Sequence, residues 1–316
     1  MPDLHVVFGT GPLGRSTVEA LVERGRRVRW VSRSGQAADV PPGVDLRAAD
    51  ATDPAQARAA VEGAAVVYNC TNAPYTAEGF ETELPRLFGG ILDAAEAAGA
   101  RLVVGDNLYA VDEGPQPIRE SGPEAPTTRK GRARKAVGDA MLEAHRRGRL
   151  PVVVVRGSDF FGPYATDQSH LGSRAIPPLL AGKTATMIGG LDHPHSMTYV
   201  RDFGRALATL GEADGAHYGR AWHVPNAPAE TRRAVLARIA REIGTPLKVR
   251  QLGPVARRVF GLFIPPLREM EEMTYQLDRP YVIDASDFAA TFDVEATPLD
   301  QSVAETVDWF RTHPDA

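Results

Sequence analysis

The sequence has 316 residues, 43% of them hydrophobic and 24% charged, and its formal net charge is −4. This composition is typical of a globular protein with a substantial core, and the acidic balance argues against a nucleic-acid partner. Cys70 is the only cysteine in the sequence, which excludes an internal disulfide and a thiolate metal cluster. No apolar run approaches the roughly 18 residues that span a bilayer, and no secretory signal follows Met1. We therefore predict a cytoplasmic protein without a membrane partner.

Short apolar runs alternate with helical patterns in the first half of the sequence. Strands are predicted at 4–8, 28–32, 45–48, 65–70, 101–105 and 151–156, and helices at about 13–24, 54–61, 81–98 and 131–145. This alternation is typical of βαβ units and a parallel sheet. Four consecutive valines from Val152 fit a strand that is buried on both faces. The predicted fold class is α/β, a Rossmann-type doubly wound parallel sheet with a smaller C-terminal substrate lobe.

The pattern becomes irregular after Gly162. A helix at about 200–210 and a strand at 221–224 are predicted to return to the sheet, and helices near 230–243, 255–263 and 299–312 to form the smaller lobe. We therefore predict a dinucleotide-binding domain over 1–162, completed by about 199–225. The substrate-binding lobe is predicted over 163–198 and 226–316.

A glycine-rich turn follows the first predicted strand and precedes the first predicted helix. It has the spacing GxGxxG and comprises Gly9, Thr10, Gly11, Pro12, Leu13 and Gly14. The first glycine allows a tight turn, the second lets a pyrophosphate approach the backbone, and the third allows close helix packing. The anion would lie on the positive end of the helix. In this βαβ context the turn predicts dinucleotide binding.

The end of the second predicted strand indicates which dinucleotide is bound. NAD sites usually have an acidic residue here, but this sequence has Ser32, Arg33 and Ser34, and no carboxylate before Asp39. Arg33, with Arg15 as a further candidate, offers guanidinium donors to the 2′-phosphate of NADP(H). We therefore predict NADP(H) as the cofactor.

Several further landmarks carry a family resemblance. They are Asp50 and Ala51 in AADATDP, the segment VYNCTN that contains Asn69, Thr71 and Asn72, the segment RGSDFFGP that contains Ser158 and Phe160, and YVRD at 199–202. With the glycine turn, these segments resemble the extended and atypical short-chain dehydrogenase/reductase superfamily, also called the NAD-dependent epimerase/dehydratase family, over nearly the whole chain. The resemblance implies that Asp50 lies at the adenine and that Asn69, Thr71 and Ser158 lie at the cofactor.

The catalytic positions depart from the pattern of that family. Family members usually have a Ser or Thr after the fifth strand and then YxxxK on the next helix. This sequence has Gly105-Asp106-Asn107-Leu108-Tyr109 at the first place, and Lys130 and Arg134 stand at the positions of the tyrosine and the lysine. Tyr109 is an alternative proton donor, although it follows a strand and does not lie on the helix.

A lysine without the tyrosine also resembles the isoflavone reductase-like branch, where the lysine is implied to be the general acid or base. Lys130 and Arg134 are four residues apart and share one helix face. A neighbouring cation and a desolvating nicotinamide ring favour loss of a proton from the lysine. The alternative is that Lys130 only binds the nicotinamide ribose.

Three functions remain open at this point. The first is an NADP(H)-dependent reductase of a small carbonyl, enone or benzylic-type substrate, with Lys130 as proton donor, Asn107 orienting the substrate oxygen and Arg134 supporting the ribose or Lys130. The second is a sugar or nucleotide-sugar epimerase/dehydratase, and the third is a non-catalytic NADP(H)-sensing regulator. Candidate substrate contacts are Asn72, Tyr75, Tyr109, Phe160 and His195. No metal is predicted, because His193 and His195 lack a further ligand pattern, and the protein is expected to be a monomer or a homodimer.

Overall fold

The computed structural model describes residues 3–111, 114 and 116–314. Its contacts divide the chain into two compact units. The first comprises Met1–Ala110, Arg129–Gly157 and Phe203–Val224, and the second comprises Val111–Thr128, Ser158–Asp202 and Pro225–Ala316. Helices and strands are numbered below in chain order over the whole chain.

The first unit contains a seven-stranded parallel sheet. Its strands are β1 (Leu4–Phe8), β2 (Arg27–Ser32), β3 (Asp45–Ala48), β4 (Ala64–Asn69), β5 (Arg101–Asn107), β6 (Val152–Gly157) and β11 (Ala221–His223). Their order is β11-β6-β5-β4-β1-β2-β3, and every neighbouring pair is parallel. The order reverses at β1, so the sheet is doubly wound. The predicted fold class is confirmed.

Five helices belong to this unit in whole or in large part. They are α1 (Pro12–Glu23), α2 (Pro54–Ala60), α3 (Ala77–Ala97), α4 (Arg129–Arg146) and α6 (Val200–Glu212), and a short 3₁₀ helix covers Gly215–His217. Helix α3 begins four residues before its predicted start, because the Thr76 side chain accepts a hydrogen bond from the Gly79 N–H and caps it. The apolar faces of α2, α3 and α4 pack on the sheet with residues such as Phe80, Phe88, Val137 and Met141.

The second unit is built from short paired strands and helices. Strand β7 (Phe160–Phe161) pairs with β10 (Thr198–Tyr199), β8 (Ala185–Ile188) with β13 (Val249–Leu252), and β9 (Pro194–His195) with β12 (Glu230–Thr231). The helices are α5 (Ile176–Leu180), α7 (Arg232–Ile243), α8 (Pro254–Gly261), α9 (Pro265–Glu271), α10 (Ser286–Phe292) and α11 (Leu299–Thr312), with a 3₁₀ helix at Thr274–Gln276. The second core includes Leu179, Met187, Leu236, Ile239 and Phe310.

The described part of the chain contains no helix that is both long and apolar enough to cross a membrane.

Candidate functional site

The glycine turn between β1 and α1 is shaped by close backbone packing. Gly9 has φ +106°, and a Cβ there would lie 2.6 Å from the Cys70 carbonyl oxygen. A Cβ on Gly14 would lie 2.0 Å from the Gly9 oxygen, whereas a Cβ on Gly11 would meet nothing within 4 Å. Two glycines are therefore required by packing, and the third leaves open space beside the N-terminus of α1, where an anion can bind the backbone.

The remaining residues of the turn join it to the sheet. Pro12 occupies the first helical position of α1, where a proline is favourable because its missing N–H would have no partner inside the helix. Gly105 at the end of β5 makes room for Leu13, because a Cβ on Gly105 would lie 2.7 Å from Leu13 Cδ2. Thr10 is half-buried beside Gly11. The turn is thus fixed against the ends of β4 and β5.

The structure separates the two arginines proposed for the 2′-phosphate. The Arg15 guanidinium is buried, lies 5.2 Å from the centre of the Trp30 ring, and donates to the Asp39 carbonyl at 3.1 Å. Arg33 follows the last residue of β2 and is exposed. Ser32, at the end of the strand, donates to the Gln36 carbonyl. Arg33 is the arginine whose exposure suits it to meet a ligand.

Asp50 lies half-buried in the turn before α2. Its Oδ1 accepts hydrogen bonds from the Thr52 N–H and hydroxyl, each at 2.8 Å. These bonds, with a weaker contribution from the Arg33 charge, hold the pKa of Asp50 below its usual range. The next residue, Ala51, is buried where α3 passes, since a Cβ on Gly90 would lie 2.0 Å from the Ala51 oxygen. Asp50 is therefore a fixed carboxylate close to Arg33.

The end of β4 presents a buried amide. Asn69 Oδ1 accepts hydrogen bonds from the Thr71 hydroxyl at 2.6 Å and from its N–H at 3.1 Å. Asn69 Nδ2 is buried and has no hydrogen-bond partner among the described residues. Buried donors of this kind are rare in folded proteins without a bound group. Asn69 therefore offers a donor beside the glycine turn, since β4 is the neighbour of β1 in the sheet.

Three charged side chains are buried together, one each from α4, β5 and β6. Arg134 Nη1 lies 3.2 Å from Asp106 Oδ1, and Arg156 Nε lies 3.5 Å from Asp106 Oδ2. Arg134 also donates to Asn72 Oδ1 at 2.7 Å, and its guanidinium lies over the rings of Phe80 and Phe88. The Asp106 carboxylate therefore provides a buried counter-charge to both arginines.

Lys130 lies one turn before Arg134 and is fully buried. Its Nζ lies 5.1 Å from the centre of the Tyr75 ring, and the Tyr75 hydroxyl lies 3.3 Å from that of Tyr109. Tyr75 is 38% exposed, whereas Lys130 is 0% exposed. Asn107 Oδ1 accepts the Tyr109 N–H. The Lys130 ammonium thus lies over the ring of Tyr75, whose hydroxyl contacts that of Tyr109, and the exposed member of the set is Tyr75.

The other candidate substrate residues lie in the second unit. The Ser158 N–H donates to Thr198 Oγ1, and Phe160 lies in β7. His195 is buried, with its Nε2 2.9 Å from Asp159 Oδ2 and its Nδ1 3.1 Å from the Gln276 carbonyl oxygen. Both ring nitrogens of His195 therefore face protein oxygens, which indicates a structural role more than a direct substrate contact.

The half-buried Asp159 and His170 and the buried Arg232 complete the group around His195, and sequence reasoning did not single them out. Burial opposes ionisation of Asp159, but His170, His195 and Arg232 outweigh it and hold its pKa well below the usual range. Burial lowers the pKa of His170 to about 4 and that of Arg232 to about 10. Within the described ranges, no cluster of three or more His, Cys, Asp or Glu side chains is placed to bind a metal ion.

The comparison with family models decides the family. The model of the NAD dependent epimerase/dehydratase family matches residues 6–224, which is more than half of the chain. The chain belongs to this family. No curated protein matches the chain.

Solved structures similar to this epimerase/dehydratase-family protein share its fold at low identity. The dTDP-glucose 4,6-dehydratase of Bacillus anthracis, in complex with NAD, is 16% identical, with 99% of this chain and 98% of that chain covered and a TM-score of 0.79. The UDP-glucose 4-epimerase of Thermus thermophilus, also with NAD, is 20% identical over 98% and 99%, with a TM-score of 0.77. The dTDP-glucose 4,6-dehydratase DesIV of Streptomyces venezuelae is 17% identical over 98% and 97%, with a TM-score of 0.79.

This member of the epimerase/dehydratase family brings most of the predicted site residues to one edge of its sheet. The glycine turn and Arg33 follow the carboxyl ends of parallel strands, and Asn69 and Asn107 are the last residues of two others. This edge is where ligands bind in open α/β sheets. Ser158, Phe160 and His195 belong to the second unit. Sequence reasoning assigned no role to Asp106, although its position directly after the predicted strand 101–105 was an available signal; the structure places it inside β5.

Proposed function

We propose that the protein is an enzyme that binds a nicotinamide dinucleotide in its first unit and moves a hydride to or from a carbon of a small substrate. The observation that carries this proposal is the glycine turn, with its open side at Gly11 and the helix N-terminus beside it. The family match supports it, as do similar structures that were solved with NAD. We assign substrate binding mainly to the second unit.

The residues around the turn suit such a cofactor. The N-terminus of α1 would hold the pyrophosphate, Asp50 and Ala51 the adenine, and Asn69 with Thr71 would lie beside the nicotinamide half. In the part of the chain that the structure describes, Asn69 Nδ2 has no hydrogen-bond partner. This donor and the open space at Gly11 fit a polar group at this edge. When bound, the dinucleotide supplies or accepts the hydride.

NADP(H) is our proposed form of the cofactor, although the similar structures contain NAD. Arg33 is exposed after β2, and none of residues 32–38 is acidic. A guanidinium at this place favours the 2′-phosphate. The Asp50 carboxylate lies near enough to Arg33 to be affected by its charge. We therefore expect the preference for NADP(H) over NAD(H) to lie at the lower end of the range that a charge-assisted hydrogen bond gives.

The substrate oxygen needs a proton, and Lys130, Tyr75 and Tyr109 are the residues that we assign to its delivery. Lys130 is too buried to contact a substrate directly, whereas Tyr75 is partly exposed and its hydroxyl lies beside that of Tyr109. We therefore propose that Lys130 is the proton source and that Tyr75 and Tyr109 pass the proton to the oxygen. Asn107, whose Nδ2 is the remaining donor of its side chain, would orient that oxygen.

Sugars and nucleotide sugars are the substrate class that the comparisons support best. The matching family combines epimerases and dehydratases, and the similar structures are named for UDP- and dTDP-sugars. Oxidation of a hydroxyl-bearing carbon would use the proposed proton route in reverse, with the hydroxyl proton passing toward Lys130 as the hydride leaves for the dinucleotide. A reductase of small carbonyl compounds is the second candidate, because Lys130 stands in place of the usual tyrosine.

Two measurements separate these candidates. The purified protein is incubated with UDP-galactose, UDP-glucose and dTDP-glucose, and products are followed by NMR and mass spectrometry. In parallel, NADPH oxidation is recorded with a panel of aldehydes, ketones and enones. Conversion of a nucleotide sugar without net NADPH consumption supports the first candidate, and substrate-dependent NADPH oxidation supports the second. Cofactor binding by calorimetry without turnover in either assay would contradict an enzymatic function and favour a regulator.

A further inference from the structure

One surface of the second unit is unusually apolar. The described residues include seven exposed large hydrophobic side chains, and six of them lie within ten residues of sequence. These six are Val255, Val259, Phe260, Leu262, Phe263 and Ile264, which we call the hairpin face. Leu262 is 75% exposed and Phe263 is 79% exposed. Surface patches of this kind usually mark a binding site.

The local structure explains why these side chains point outward. Helices α8 and α9 form a hairpin, and Arg257 on its inner side is buried and paired with Glu271 at 3.2 Å and Asp278 at 2.7 Å. Leu267 and Gly261 are also buried, and Gly261 packs beside the backbone of Arg268. With the inner side fixed in this way, the stripe of Val255, Val259 and the Leu262–Ile264 turn falls on the outer side.

The charge of this segment differs from that of the whole protein. Between positions 248 and 268 the sequence contains Lys248, Arg250, Arg257, Arg258 and Arg268 and no acidic residue, whereas the chain has a net charge of −4. Arg258, whose side chain is 79% exposed, and Arg268 flank the apolar turn. Acidic residues begin again at Glu269, and Glu271 lies 3.2 Å from the buried Arg257 and 3.6 Å from the more exposed Arg258. Exposed arginines beside exposed Leu, Phe and Ile are typical of helices that lie in a membrane interface.

We propose that the hairpin face binds the surface of an anionic phospholipid bilayer, with Leu262, Phe263 and Ile264 entering the interface and Arg258 and Arg268 contacting the headgroups. The sequence-based expectation of no membrane partner rested on the lack of a spanning segment. A surface-bound hairpin needs no such segment. This binding is independent of the proposed cofactor and substrate.

A second copy of the chain is the main competing occupant, and the charges disfavour it. A two-fold symmetric contact places the same patch of both copies face to face. Pairing centred on Phe263 would then bring the exposed arginines of both copies together, and like charges at short range repel. An anionic surface instead complements these arginines.

The test is co-sedimentation with vesicles of phosphatidylcholine alone and of equal parts phosphatidylcholine and phosphatidylglycerol. We expect the full-length protein to pellet with the anionic vesicles and to remain in solution with the neutral ones, and added salt to release it. A combined Leu262→Ser and Phe263→Ser variant should bind at least about tenfold more weakly, because it loses buried apolar area. Arg258→Gln with Arg268→Gln should weaken binding by about 25-fold, since each arginine near an anionic surface contributes about fivefold.

The control is Arg146→Gln with Arg311→Gln, which removes two exposed arginines elsewhere in the sequence. Binding by this variant should equal that of the unchanged protein, and thermal unfolding should show that all variants fold. The proposal is overturned if the unchanged protein does not pellet with anionic vesicles, or if the control binds as weakly as the Arg258 and Arg268 variant. It is also overturned if light scattering shows a dimer that the Leu262 and Phe263 substitutions dissociate while vesicle binding is absent.

Discussion

Replacing Asp106 by asparagine tests the buried charge group under α4. The change keeps the size of the side chain and removes its charge. In the folded protein it would leave Arg134, at 3.2 Å, and Arg156, at 3.5 Å, without the Asp106 carboxylate that they share. All three side chains are at most 5% exposed, so water replaces little of the lost interaction.

Removing one partner of a buried ion pair costs about 3–5 kcal/mol, and we expect Asp106→Asn to lower the free energy of unfolding by about this amount. The measurement is urea unfolding followed by circular dichroism. Asp139→Asn is the matched control, because Asp139 forms an exposed pair with Lys135 on the same helix. It should cost no more than about 0.5 kcal/mol. Equal losses in the two variants would refute the argument that burial makes the Asp106 interaction strong.

Three further predictions concern the site and its surroundings. Lys130→Met should leave cofactor affinity unchanged but lower turnover of any substrate found in the panels by about 10²- to 10⁴-fold, as for a lost general acid, and turnover near that of the unchanged protein would exclude Lys130 as the proton source. Calorimetry should show that NADP(H) binds about tenfold or more tightly than NAD(H) and that Arg33→Asp reverses this order, whereas equal affinities would contradict the role of Arg33. His170 has a pKa of about 4 in the folded protein and about 6.5 when unfolded, so the unfolded chain binds more protons between these values and stability should fall as the pH drops from about 6.5 toward 4. This loss of stability should be smaller in His170→Gln, whereas the exposed His193→Gln should lose as much stability as the unchanged protein, as measured by thermal unfolding across that pH range.

The parallel sheet was predictable because its strands carry strong local signals. The valines of β6 are all buried, and the glycine turn lies where a strand gives way to a helix. Helix starts were less accurate: α3 begins earlier than its apolar pattern because Thr76 caps it, a contact that hydrophobic periodicity does not reveal.

The second unit was harder to predict because its elements are short and its pairings are distant in sequence. Helix α5 and strand β8 were missed, since five and four residues are too few for a clear period. Strand β8 pairs with β13, and Ile118 pairs with Ile283, over separations that no local pattern indicates. The group around Asp159 was missed for the same reason, because its members come from four separate segments.

The two buried cations of α4, Lys130 and Arg134, have different surroundings. A second cation on α4, Arg134 in addition to Lys130, would be costly in a buried position without a counter-charge. The chain has that counter-charge in Asp106, directly after the β5 residue Gly105, and Asn72 accepts a further bond from Arg134. Arg134 is thus held by Asp106 and Asn72, whereas Lys130 lies over the Tyr75 ring, so the two buried cations of α4 are accommodated by different partners.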